Sequence, residues 1–121
     1  MLINEPDPHS YEALDNHIRS YYICIMKQID FEWDDVKNAK NAQKHGVSFY
    51  EAQSAFADPR RIIIEDLEHS GNEERFFCLG MVKGGVMTVR FSFRDDIIRI
   101  IGAGYWRKGK RIYDKENNLH G

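Results

Sequence analysis

Between Val86 and Arg94 the chain alternates with a period of two. Met87, Val89, Phe91 and Phe93 fall on one side of an extended strand, and Thr88, Arg90, Ser92 and Arg94 fall on the other. A segment patterned this way has one face for a core and one for water, and a slip of one residue would exchange them. It therefore demands a sheet. Lys83-Gly84-Gly85 reads as the hairpin turn that joins it to Arg75-Phe76-Phe77-Cys78-Leu79, and Asp95-Asp96 turns the chain into Ile97 to Ile101. Ile62-Ile63-Ile64 is a further short β-branched strand, and Phe31-Glu32-Trp33 opens the set.

Helical signals stand apart from these strands. Asp34 is a cap for a helix through Lys44, with Gly46 placed where a left-handed residue ends a helix most cheaply. Ser48-Phe49-Tyr50-Glu51 is a capping box, and Phe49, Ala52 and Phe56 make the apolar stripe of a second helix that stops at Asp58-Pro59. The two make a hairpin around His45-Gly46. A polar helical tail runs from about Trp106 to Asn117. At the other end, Met1 to Pro8 reads as a terminal arm, and Ser10 caps an amphipathic helix carrying Tyr11, Leu14, Ile18 and Ile25. We expect an α+β protein with an extension over residues 1–28 and one compact domain over 29–121. Met26 precedes the opening strand and is an alternative translation start to Met1.

With 121 residues, 42% of them hydrophobic, the chain suffices for one core. Its net charge of -2 gives no global sign of nucleic-acid binding, so a site for RNA must come from local clustering. The two cysteines, Cys24 and Cys78, sit in apolar settings without CxxC spacing and read as buried thiols. No apolar run is long enough for a bilayer and no signal-peptide pattern opens the chain, which makes a cytosolic location the expectation.

Clustering occurs where the alternation puts it. Arg90 and Arg94 share the polar face of their strand, neighbouring strands can add Arg75 and Arg99, and the tail supplies Arg107, Lys108, Lys110 and Arg111. Guanidinium groups fixed on one face suit phosphate, which they grip in bidentate fashion. The alternative is a solvated face paired to Glu73, Glu74, Asp95 and Asp96, and the pattern leaves both open. Tyr105-Trp106-Arg107-Lys108 joins rings that can stack a base to cations that can hold its phosphate; equally, Trp106 can be a lid on the core. Among the five histidines, His45 at the helical turn is the first candidate for acid–base work and His69 in a polar loop is the reserve. Glu65, Asp66 and Glu68 can bind a basic partner or act as bases, and read first as a solvated loop. HxxxH spacing, an acidic cage, GxSxG, a P-loop and a dinucleotide fingerprint are all missing, so no cofactor is expected and a metal-dependent nuclease is disfavoured.

Taken in order, Phe31-Glu32-Trp33-Asp34, Lys44-His45-Gly46-Val47-Ser48-Phe49, Asp58-Pro59, Glu68-His69-Ser70, Glu73-Glu74-Arg75-Phe76, Gly80 and Ile98-Arg99-Ile100-Ile101 resemble the BrnT-type toxins. That resemblance covers about Ile29 to Asp114. It implies a RelE-like fold, with the helical hairpin packed on a curved antiparallel sheet. It also implies a ribonuclease that cuts RNA without a metal and inhibits translation until a DNA-binding, BrnA-like antitoxin neutralises it. The family's functional positions fall on Lys44 with His45, on Arg75 and on Arg94. One departure stands out: typical members follow Ile-Ile with Ser-Ala-Arg, where this chain has Gly102-Ala103-Gly104. A catalytically inactive RNA- or protein-binding module is thus the rival reading, and a homo-oligomer built through the first helix is a further one.

Overall fold

The computed structural model describes residues 30–118. The helix expected from Ser10 to Ile25, the 1–28 extension, Cys24 and the choice of start lie outside the described residues. From the N-terminal side come β1 (Asp30–Trp33), α1 (Asp35–His45), α2 (Phe49–Ala52), a 3₁₀ turn (Gln53–Ala57), β2 (Ile62–Glu65), β3 (Arg75–Val82), β4 (Gly85–Arg94), β5 (Ile97–Gly104) and α3 (Arg107–Glu116). The strands make one five-stranded sheet in the order β1-β5-β4-β3-β2.

The α+β class is as expected, and the sheet differs from the expected antiparallel one at a single pairing. Strands β2 to β5 form an antiparallel meander, whereas β1 runs parallel to β5. The helical pair explains this. It carries the chain from β1 at one edge across the sheet to β2 at the other, and the meander then returns β5 to β1 in the same direction.

Caps fix the helical hairpin. Asp34 Oδ1 accepts from the amides of Val36 at 2.8 Å and Lys37 at 3.0 Å. At the far end Gly46 takes φ 71°, and its N–H donates to the Ala42 carbonyl. Ser48 and Glu51 form the capping box. The second helix is one α-turn followed by the 3₁₀ turn, which ends at Asp58 ahead of Pro59. Asn41 then secures α1 to the sheet: its carboxamide donates to Ala103 O at 2.9 Å and accepts from Ala103 N at 3.2 Å. The register of β1 ends at Ile100 on β5, so this side chain pairs the strand edge where no β1 residue remains.

Beneath the hairpin lies the larger core, with Phe49, Phe56, Phe76, Met87, Val89 and Phe91 buried. Phe56 meets Phe91 edge-on at 5.0 Å, and Phe76 stacks on Phe91 at 5.5 Å. The apolar half of the β4 alternation is thus the core, as its period requires. On β5 the core residues Ile98, Ile100 and Ala103 break the period of two, because Arg90 pairs with Gly102 and Phe91 with Ile100, leaving Ile101 as a bulge.

The opposite face is wet only in part. There α3 packs Tyr113 and Ile112 on Ile62, Leu79 and Val86. Thr88 and Ser92, expected in water, are buried, while Arg90 is half-buried and Arg94 exposed. Tyr113 donates its hydroxyl proton to Asp58 Oδ2 at 2.5 Å, and the same oxygen accepts from Met81 N at 2.7 Å, which ties α3 to the 3₁₀ exit and to β3. Burial, then the hydrogen bond to Asp58, raises the Tyr113 pKa above the ordinary phenol range. Among the described residues no helix is long and apolar enough to cross a membrane.

Candidate functional site

Strand register settles which basic side chains share the face that α3 leaves bare. Arg75 lies opposite Ser92, Ser92 opposite Arg99, and Arg99 beside Glu32, so these residues form one row across four strands. In the next row Phe77 lies opposite Arg90. The Arg90 guanidinium carbon stands 6.0 Å from the Phe77 ring centre. Arg94 follows Ser92 on the same side of β4 and joins Arg99, Ser92 and Glu32 around a hollow of about 220 Å³. Arg75 and Arg99 thus share the face on which the period of two places Arg90 and Arg94.

Their charges are loosely matched. Arg99 donates to Glu32 at 3.1 Å, but Arg94 stands 3.6 Å from Glu73 and Arg90 stands 3.7 Å from Asp66. Both latter separations exceed a hydrogen bond. The buried Nε atoms of Arg75 and Arg90 have no hydrogen-bond partner among the described residues. A buried donor without an acceptor is costly, and an anion laid across the row would supply one. The alternative reading, a face paired to acids, is met at Arg99 with Glu32 and more loosely at Arg94 with Glu73 and Arg90 with Asp66.

The loop between β2 and β3 contradicts its expected solvation at one residue. Glu65 and Glu68 are exposed, but Asp66 is only 4% exposed. The Asp66 amide donates back to Arg75 O at 2.7 Å. Ser70 knots the loop, donating to Asp66 O at 2.7 Å and accepting from Arg75 N at 2.9 Å. This folds the carboxylate inward, where its oxygens lie 2.9 and 3.1 Å from His69 Nδ1. A carboxylate can only accept, so in the neutral imidazole this contact selects the tautomer with hydrogen on Nδ1 and a lone pair on Nε2. The imidazole is half-exposed beside a buried carboxylate, the arrangement of an oriented proton acceptor.

A cleft of about 570 Å³ separates this loop from α3, with His69, Phe77, Thr88, Trp106 and Lys108 among its lining residues. Trp106 lies against Gly104, where a β-carbon would come within 2.7 Å of the indole, and its other neighbour is the His45 ring, edge-on at 5.2 Å. The indole thus occupies the space a side chain at 104 would need. His45 reaches the cleft wall through Trp106. Lys44 is exposed at the end of α1, and Arg107 and Arg111 are exposed on α3. Lys110 pairs with Asp114 at 2.6 Å. Tyr105 departs from the expected base-stacking role: its hydroxyl donates to Val82 O at 3.0 Å and its ring packs on Gly85, away from the cleft lining.

Sequence reasoning passed over Asp66 as a positioning group. Its one signal is the Asp66-x-x-His69 spacing, which lets a carboxylate and an imidazole meet across a single turn. Among the described residues no three His, Cys, Asp or Glu side chains are grouped to hold a metal. Cys78 is buried, with its Sγ 3.8 Å from Ala55 O.

Comparison with known families agrees with this geometry. A family model described as the ribonuclease toxin BrnT of type II toxin–antitoxin systems matches residues 33–109. No curated protein matches the chain. The matched span runs from Trp33 through the hairpin and the whole meander to the first turn of α3, and it contains the arginine row, Asp66, His69 and Trp106. Over well more than half its length, then, the chain is a member of the BrnT family of type II toxin–antitoxin ribonuclease toxins.

Proposed function

We propose that the bare half of the sheet cleaves RNA without a metal, and that cleavage inhibits translation. The carrying observation is the row of four arginines on one sheet face, in which the buried Arg75 Nε has no hydrogen-bond partner among the described residues, next to a histidine held by a buried carboxylate. In metal-free cleavage a ribose 2′-hydroxyl attacks the adjacent phosphate, so one proton must leave, charge must be offset on phosphorus and the leaving oxygen must be protonated. His69 Nε2 would take the 2′-hydroxyl proton, with Asp66 orienting the ring, and would deliver it to the leaving 5′-oxygen. Arg75, Arg90, Arg94 and Arg99 would bind phosphate, and Trp106 would stack a base. His45 and Lys44 are the alternative acid–base pair, and Arg107, Lys108, Lys110 and Arg111 would track the RNA backbone.

The remaining assignments belong to the same reading. The domain over residues 29–121 takes a RelE-like fold. The protein acts in the cytoplasm and is silenced by a BrnA-like antitoxin that binds DNA. Incubating the purified chain with RNA in EDTA tests the activity; cleavage supports the enzyme. One observation favours the rival reading of an inactive binding module: Trp106 fills the space at Gly104, where typical members carry arginine. Binding of RNA without cleavage would support that module.

A further inference from the structure

The hollow of about 220 Å³ lies on the β1 side of the sheet, away from the cleft of Trp106. Its lining sets two carboxylates, Glu32 and Asp95, against two guanidinium groups, Arg94 and Arg99, so the fixed charges cancel. Ser92 and Ile97 complete the wall. Ser92 is 2% exposed, and its hydroxyl makes no hydrogen bond among the described residues. Burying a hydroxyl in that way is costly until a ligand supplies its partner. Strand register places the donors and acceptors in line. Glu32, Arg99 and Ser92 lie abreast on β1, β5 and β4, about 4.8 Å from one strand to the next, and Arg75 follows on β3. Arg99 Nη1 donates to Glu32 Oε2 at 3.1 Å, which leaves Glu32 Oε1 as an acceptor and the other guanidinium N–H groups as donors.

We propose that this hollow reads guanine. The inference rests on RNA as the ligand of the sheet face and adds which base adjoins the phosphate. A hollow whose charges balance suits a neutral group that both donates and accepts. A base edge does this, whereas a phosphate only accepts and would meet both carboxylates. Guanine alone among the four bases sets two adjacent donor nitrogens, N1 and N2, beside an acceptor, O6. Glu32 takes the two donors, and Arg99 with the Ser92 hydroxyl donates to O6 and N7. Adenine would turn the lone pair of its N1 on the carboxylate, and neither pyrimidine offers two adjacent donor nitrogens. Arg94, at the rim, stays with the phosphate next to the seated base.

The test is an NMR titration of the full chain with 5′-GMP, 5′-IMP, 5′-AMP, 5′-CMP and 5′-UMP, with inorganic phosphate as the control. The expected result is saturable shifts of the Arg99 Nε–H and Ile97 methyl signals with 5′-GMP, about tenfold tighter than with 5′-AMP, 5′-CMP or 5′-UMP. Inorganic phosphate should leave the Ile97 methyls in place. 5′-IMP, which lacks the N2 amino group, should bind about fivefold more weakly than 5′-GMP. Glu32→Gln should abolish the preference for 5′-GMP, and Ser92→Ala should weaken its binding about threefold. Equal affinity for the four nucleotides, tighter binding of another base, equal affinity for 5′-IMP and 5′-GMP, or a preference that survives Glu32→Gln would each overturn the guanine site. RNA cleavage in EDTA on the same samples separates the two claims, with cuts expected next to guanine. Cleavage without regard to guanine overturns the subsite alone, and selective binding of 5′-GMP by a chain that cuts no RNA overturns the nuclease reading alone.

Discussion

Beneath α1 and α2 the sheet presents Phe76, Met87, Val89, Phe91, Ile98 and Ile100, all buried against Phe49 and Phe56. On its other side the same strands present Arg75, Arg90, Arg94 and Arg99, covered at one end by α3 and bare at the other. One face has satisfied its physical requirements with apolar contact alone. The second keeps the buried Arg75 Nε without a hydrogen-bond partner among the described residues, a cost that packing does not relieve. The difference teaches where to look for work: residues on the first face hold the fold, and those on the bare half are held by it.

The largest expected effect breaks the first face. Phe91→Ala removes a ring that touches both Phe56 and Phe76, and should cost about 3–5 kcal/mol in urea unfolding, taking activity with it. Arg75→Ala should do the reverse. Cleavage should fall on the order of 100-fold, about 2.7 kcal/mol of transition-state stabilisation, and growth arrest should be lost with the fold intact. Arg94→Ala, exposed and set 3.6 Å from Glu73, should give a smaller loss of activity in the same assay.

Tyr113→Phe sharpens the comparison within the second face, since it strikes the half that α3 covers. Losing the bond to Asp58 should cost about 1.5–3 kcal/mol by thermal or denaturant unfolding. The pH dependence has a definite sign. Folding raises the Tyr113 pKa, so as pH climbs past about 10 the unfolded chain releases that proton while the native one retains it, and stability falls. The variant should lose that part of the alkaline decline. Smallest is the effect at the capping box. Lys83, then Ser48, hold the Glu51 carboxyl below its usual range, so the stabilisation is present at neutral pH and is lost as pH falls below about 4.5. Lys83→Ala should flatten that acid limb slightly in a melting series.

Much of this division was legible in the residues. The alternation of Val86 to Arg94 assigned both faces of β4, and Asp34, Gly46 and the Ser48–Glu51 box marked helix ends that the structure keeps. What stayed hidden depends on partners distant in sequence. The direction of β1 is set by what α1 and α2 span, not by Phe31 or Trp33. Burial of Asp66 follows from Ser70 and Arg75 closing the loop behind it. Ile101 carries no sign that it will bulge, because the bulge exists to bring Ala103 back to the core face. The match of Trp106 to Gly104 is likewise a contact between a ring and an absence, invisible until the chain turns at Tyr105.

The most direct test is a cleavage measurement on one short RNA in EDTA, comparing the wild-type chain with folded Arg75→Ala and Arg90→Ala proteins and identifying the new ends. Loss of about 100-fold in rate for each variant, with wild-type products ending in 2′,3′-cyclic phosphate, is the predicted result. Unchanged rates in both folded variants, or products ending in a free 3′-hydroxyl, would contradict an arginine-held, metal-free attack by the neighbouring ribose.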